Sequence, residues 1–151
     1  MKNVLIIYHS QSGNTKALAE AIERGCRQES EADTRVKMAF EANLQDLLWA
    51  HGILFGTPEN FGTMSGALKD FFDRTYYPAQ SYSLNLPYAV FISAENDGTG
   101  AIRDIERIAR GYPFRQVAEP LIIKGSLNIE QLNMSQDYGQ VMAAGLCLGI
   151  Y

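Results

Sequence analysis

The chain has 151 residues, the size of one domain, a length at which about 68–70% of the unfolded surface is buried on folding. Hydrophobic residues make up 46% and charged residues 20%, which excludes a disordered, collagen-like or low-complexity chain. Thirteen Lys and Arg against seventeen Asp and Glu give a formal net charge of -4 without a basic run, which argues against nucleic acid as a partner.

Val4-Leu5-Ile6-Ile7-Tyr8 is a continuous apolar run with β-branched members, which predicts a strand buried on both faces. Ala17, Leu18, Ala21, Ile22 and Cys26 then fall on one face of a helix, with Glu20, Glu23, Arg24 and Arg27 on the solvated face in favourable i,i+4 pairs. A weaker alternating run at residues 34–40 predicts a second strand, and Leu44, Leu47 and Leu48 behind a cap at Asn43 predict a short helix. Residues 52–56 read as a third strand, Leu68, Phe71 and Phe72 as a helix, and residues 88–93 as a fourth strand. A helix on Ile102, Ile105, Ile108 and Ala109 follows, then a strand at 121–124 and a last helix on Tyr138, Val141, Met142 and Gly145.

Five strands alternating with five helices imply parallel strands joined by right-handed crossovers, a three-layer α/β domain over residues 1–151. In such sheets a ligand sits at the carboxyl ends of the strands, near the point where strand order reverses. The loops after strands one, three and four are therefore the informative ones.

The first is Ser10-Gln11-Ser12-Gly13-Asn14-Thr15, three hydroxyls and a glycine at a helix start. Unpaired backbone N–H groups and the helix dipole there hold a phosphate without a basic residue. Capping of the helix by Ser or Thr is the plainer alternative. No Gly-x-x-x-x-Gly-Lys-Ser/Thr string exists, which disfavours nucleoside triphosphate hydrolysis.

The second loop, Gly56-Thr57-Pro58-Glu59-Asn60-Phe61-Gly62-Thr63-Met64-Ser65-Gly66, lets backbone groups approach a flat ligand edge and offers Phe61 as an apolar wall. Ser65 lacks the preceding glycine of a hydrolase nucleophile elbow. The third loop is Ser93-Ala94-Glu95-Asn96-Asp97-Gly98-Thr99-Gly100, expected to face the second across a slot. Gly98-Thr99-Gly100 is a truncated dinucleotide fingerprint whose third glycine is Arg103. It follows the fourth strand, and a turn with a helix cap is the better reading.

Together the loops resemble the flavodoxin-like superfamily, in which Ser10, Ser12, Gly13 and Thr15 match every fixed position of the phosphate loop. Gly56-Thr57-Pro58, Phe61-Gly62 and Met64-Ser65-Gly66 are similar to the loop of WrbA-type NAD(P)H:quinone oxidoreductases and NADPH-dependent FMN reductases. The resemblance implies a doubly wound, five-stranded parallel sheet of order 2-1-3-4-5 that binds FMN. The phosphate is expected on Ser10, Gln11, Ser12, Gly13, Asn14 and Thr15. The ring is expected between Pro58, Glu59, Asn60, Phe61, Gly62 and Thr63 on one side and Ser93, Glu95, Asn96, Asp97 and Gly98 on the other. Chemistry then resides in the flavin, with no catalytic side chain and no metal.

The implied activity is two-electron reduction of quinones or similar small acceptors, with NAD(P)H as a transient donor in a ping-pong cycle. The alternative is a short-chain flavodoxin carrying single electrons between redox proteins. Such carriers are usually far more acidic than -4, and they place aromatics in both flavin-flanking loops, whereas the third loop here has none. Both features favour an enzyme.

WrbA-type relatives are longer, with an insertion linked to tetramer formation for which this chain has no room; a homodimer is one candidate assembly. Tyr76 and Tyr77 either cover the site or pack at the end of their helix. Glu59 and Asn60 replace the family's basic and polar residues, and a carboxylate beside the ring would repel NADPH phosphates. Arg103 is either solvated or a contact for a nicotinamide nucleotide phosphate. His9 and His51 read as structural, without metal-ligand spacing. Cys26 and Cys147 form no Cys-x-x-Cys and read as reduced thiols on neighbouring helices. The four-residue apolar run near the start is short for a signal peptide, and the eleven-residue uncharged tail is short for a span of about 20 residues. A cytoplasmic location without membrane association is the expectation.

Overall fold

In a computed structural model that describes residues 1–151 the chain runs β1 (Lys2–Tyr8), α1 (Asn14–Cys26), β2 (Ala32–Met38), α2 (Leu44–Trp49), β3 (Gly52–Pro58) and α3 (Gly66–Gln80). It continues through β4 (Pro87–Ala94), α4 (Thr99–Gly111), β5 (Arg115–Gln116), β6 (Leu121–Lys124) and α5 (Ile129–Cys147). All strand pairs are parallel, and the sheet order is β2-β1-β3-β4-β5 with β6 also on β4. The expected order 2-1-3-4-5 is therefore present, and the reversal lies between β1 and β3.

Alternation along the buried strands sends side chains into two cores. Leu5, Ile7, Ile53 and Phe55 join Leu47 of α2, Leu68, Phe71 and Phe72 of α3, and Ile105 of α4 on one face. Val4, Ile6 and Leu54 join Leu18 and Ile22 of α1 and Met142 and Leu146 of α5 on the other. The α1–α5 contact is close enough that a Cβ at Gly139 would lie 2.1 Å from the Ile22 carbonyl oxygen. At that approach only glycine serves.

Three expectations are corrected. The second strand is Ala32–Met38, not 34–40, and Phe40 is exposed in the turn beyond it. Val141, expected inside, faces outward on α5. The fifth strand is two pieces: Tyr88 pairs with Gln116 and Phe91 with Leu121, so two residues of β4 face four of the opposing chain. Pro120 brings no N–H to a ladder, and Tyr138 fills the break, its hydroxyl lying 2.7 Å from the Glu119 carbonyl oxygen and 3.2 Å from that of Val90. Burial raises the Tyr138 pKa, so the group stays a donor. The cap at Asn43 is present as a full capping box with Asp46.

Candidate functional site

At the carboxyl end of β1 the chain turns through Ser10–Gly13 into α1. Gly13, at φ 107°, is the N-cap and provides no side chain to the helix. Ser10 Oγ accepts the Gly13 N–H at 3.1 Å, while the N–H groups of Gln11, Ser12, Asn14, Thr15 and Lys16 find no acceptor in the chain. Simple capping by a Ser or Thr side chain is thus not what this loop does. Free N–H groups at the positive end of a helix dipole fit a phosphate. Thr15, only 1% exposed, has its hydroxyl 2.8 Å from that of Ser93 at the end of β4. Ser93 therefore stands behind the first loop.

The second loop begins where Thr57 donates its hydroxyl to the Pro58 carbonyl and accepts the Ser65 N–H at 2.9 Å. Asn60 and Thr63 exchange both backbone bonds, at 2.8 and 3.0 Å. Phe61 (φ 51°) and Gly62 (φ 76°) between them are both left-handed, the geometry of a type I′ turn. Phe61 is fully exposed at its tip. A bulky residue in that conformation costs about 1–2 kcal/mol, and such strain clusters at functional sites. Thr63 donates to Asp104 Oδ2 at 2.6 Å, and this bond, followed by one from Arg103, holds the Asp104 carboxyl below its ordinary range.

The second and third loops are tied together at the start of α4. Glu59 Oε2 accepts the N–H groups of Gly100 (3.0 Å) and Ala101 (3.3 Å) at the start of α4, whose N-cap, Gly98, has no side chain to offer. The Glu59 carboxylate is thus turned onto a helix N-terminus, where a negative charge is favoured, and does not line the cleft. Gly100 fits only as glycine, because a Cβ there would lie 1.9 Å from the Gly62 carbonyl oxygen. Asp97 accepts from the Thr99 N–H and hydroxyl, Gly98 is buried, and Glu95 and Asn96 are exposed; none of the four lines the cleft.

The cleft itself, about 1100 Å³, runs from Gln11, Ser12 and Thr15 along Pro58, Asn60, Phe61 and Thr63. The α3–α4 side adds Met64, Gly66, Lys69, Asp104, Arg107 and Ile108, all absent from the sequence-based set. Arg103, exposed and paired with Asp104 at 3.1 Å, does not line it. Arg107, one turn along the same helix, does; i,i+4 periodicity was the available signal. Tyr76 and Tyr77 lie about 15 Å down α3 from Gly66, where Tyr76 packs edge to face on Tyr112 at 5.4 Å while Tyr77 is largely exposed, so neither covers the cleft. 

Cys26 donates to the Gly139 carbonyl, 3.3 Å away, and burial pushes its thiol up to about 12; it is not joined to Cys147. His51 accepts the Asn3 N–H at 2.8 Å, and its pKa is lowered, chiefly by partial desolvation and then by Lys2. His9 meets Phe40 edge to face at 6.1 Å, and its Nδ1 is buried without a partner. No cluster of His, Cys, Asp or Glu suits a metal, and no helix is long and apolar enough to cross a membrane.

The family model for NADPH-dependent FMN reductases matches residues 18–108, which include the second and third loops. Among relatives, a flavodoxin of Aquifex aeolicus is 42% identical over 73 residues, 48% of this chain and 40% of its own length. An NAD(P)H dehydrogenase (quinone) of Acidithiobacillus ferrooxidans is 34% identical over 95 residues, 50% of this chain and 48% of its own. The matches thus span less than half the length of either relative. In structure, a flavodoxin from the domain Archaea superposes with a TM-score of 0.81 at 24% identity, covering 96% of this chain and 99% of the other. A WrbA-like flavodoxin from Agrobacterium tumefaciens gives 0.80 at 20%, covering 98% and 99%. The last two are likenesses of fold, and they agree with the sheet order. On the family match, this chain belongs to the NADPH-dependent FMN reductases, on a flavodoxin-like fold.

Proposed function

We propose that the chain is an oxidoreductase that holds FMN at this edge and passes two electrons from NADPH or NADH to quinones or similar small acceptors. The observation that carries the reading is the set of free N–H groups around Gly13 opening onto a cleft of about 1100 Å³. Pockets for a single small ligand run about 300–1,000 Å³, so this cleft is at the upper end of that range, large enough for a flavin. When bound, FMN supplies the hydride chemistry, alternately oxidising the nicotinamide and reducing the acceptor.

The chain's own residues bind and orient. The N–H groups from Gln11 to Lys16, with the Ser12 and Thr15 hydroxyls, take the phosphate, and Ser93 fixes the Thr15 rotamer. The Asn60–Thr63 turn presents backbone groups to the ring edge, and Phe61 supplies an apolar cover. Glu59 works indirectly, locking that turn to α4, so its charge is not set against the NADPH phosphates as the sequence had suggested.

A one-electron carrier is the second reading. The fully exposed Phe61 and the exposed Phe40 favour it, as an apolar landing surface for a redox protein. Titration with FMN is the first test: a yellow complex whose flavin fluorescence is quenched supports both readings, and a colourless protein that ignores FMN overturns both. NADPH oxidation coupled to benzoquinone then separates them.

A further inference from the structure

A second hollow, about 410 Å³, descends between α3 and α4 from the floor of the cleft. Lys69, Arg107 and Ile108 line both cavities, so the two adjoin along the groove at the α3–α4 seam. At its lower end Tyr76 and Tyr77 meet edge to face at 5.3 Å, with Tyr77 largely exposed. From Lys69 to Tyr76 is two helical turns, about 10 Å.

Four charged side chains line the two cavities, and three of them are paired: Lys69 with Asp73 at 2.8 Å, and Asp104 with Arg103, outside the groove, at 3.1 Å. Asp104 is further occupied by Thr63. Arg107 is exposed, forms no ion pair, and sits where the two cavities meet. A free guanidinium there, between an aromatic surface and the cleft, suits a phosphate on a ligand with a flat base at one end. The other end of that ligand would reach the cleft.

We propose that this groove holds the adenosine end of the nicotinamide dinucleotide and that Arg107 binds its 2′-phosphate, favouring NADPH over NADH. The assignment rests on the reading of the cleft as a flavin and nicotinamide site. It replaces Arg103, which is already paired, as the phosphate contact.

Calorimetric titration with 2′,5′-ADP, and with 5′-AMP, which lacks the 2′-phosphate, reads the groove without turnover. The intact chain is expected to bind 2′,5′-ADP at least about tenfold more tightly than 5′-AMP. Arg107→Ala brings the two nucleotides to similar affinity, Arg107→Lys keeps part of the preference, and Tyr77→Ala weakens both by a similar factor. In steady state the NADPH over NADH ratio of kcat/KM falls about tenfold in Arg107→Ala. Binding of neither nucleotide, or a preference that survives Arg107→Ala, overturns the proposal, and unchanged affinities in Tyr77→Ala overturn the placement of the base. These titrations report on Arg107 with or without flavin, whereas a chain that fails to bind FMN overturns the flavin reading.

Discussion

Gly100→Ala probes whether the latch between the second and third loops shapes the flavin site. Its Cβ would lie 1.9 Å from the Gly62 carbonyl oxygen and 3.3 Å from Glu59 Oε2, where real Cβ contacts essentially never fall below 3.0 Å. The Gly62 carbonyl must therefore retreat by about 1 Å, and it belongs to a turn closed by two backbone bonds, so the whole Asn60–Thr63 turn moves with it. Overpacking of this kind costs about 1–3 kcal/mol of stability, and a 1 Å misplacement at a site reduces function by up to about 10²-fold. The expected result is a lower melting temperature and an FMN affinity reduced at least about tenfold, with riboflavin affected equally because the turn faces the ring. Flavin fluorescence quenching and thermal denaturation read both. Gly111→Ala is the control, since a Cβ there meets only the Tyr76 ring, at an ordinary 3.5 Å. It should be neutral or stabilising by up to about 1 kcal/mol. Unchanged FMN affinity and melting temperature in Gly100→Ala would refute the latch.

Ser93→Ala strips the buried Thr15 hydroxyl of its partner and should weaken FMN binding by about 1–2 kcal/mol while affecting riboflavin less; equal loss for both ligands would place the phosphate elsewhere. Asp104 is held below the ordinary 3.8 by Thr63 and then Arg103, so its contribution is complete above that value and fades as pH falls through the lower folded pKa. Asp104→Asn should accordingly lower the melting temperature near neutrality, with the gap closing in acid; a gap that persists to about pH 2 contradicts the linkage. Tyr138→Phe leaves the Glu119 and Val90 carbonyls at the strand break without their donor and should cost about 1–3 kcal/mol in urea denaturation. No loss of stability would mean that water replaces the hydroxyl there.

The layered α/β architecture was legible because its signals are local. Apolar runs marked β1, β3 and β4, helical periodicity marked α1 and α4, and Asn43 announced α2. Strand β5 gave no such signal: Arg115 and Gln116 are both exposed. The first two loops were readable as ligand loops from their hydroxyls and glycines. What escaped were pairings across long stretches of chain, such as Thr15 with Ser93 and Glu59 with Gly100. Glu59 shows the consequence most clearly. As a charge in a loop it reads as an obstacle to NADPH, whereas its two N–H partners on α4 turn it into a structural tie. Arg107 was on the same helix face as Arg103, yet only the neighbouring α3 shows which of the two faces a groove.

The central claim is two-electron exchange between a nicotinamide and a small acceptor through one cleft. Anaerobic mixing of the FMN-loaded chain with NADPH, followed by benzoquinone, tests it most directly. Full bleaching of the flavin absorbance by one equivalent of NADPH, restored by one equivalent of quinone, is the predicted result. A flavin that NADPH leaves oxidised, but that a chemical reductant bleaches in two separate one-electron steps, would contradict it and make the chain a carrier.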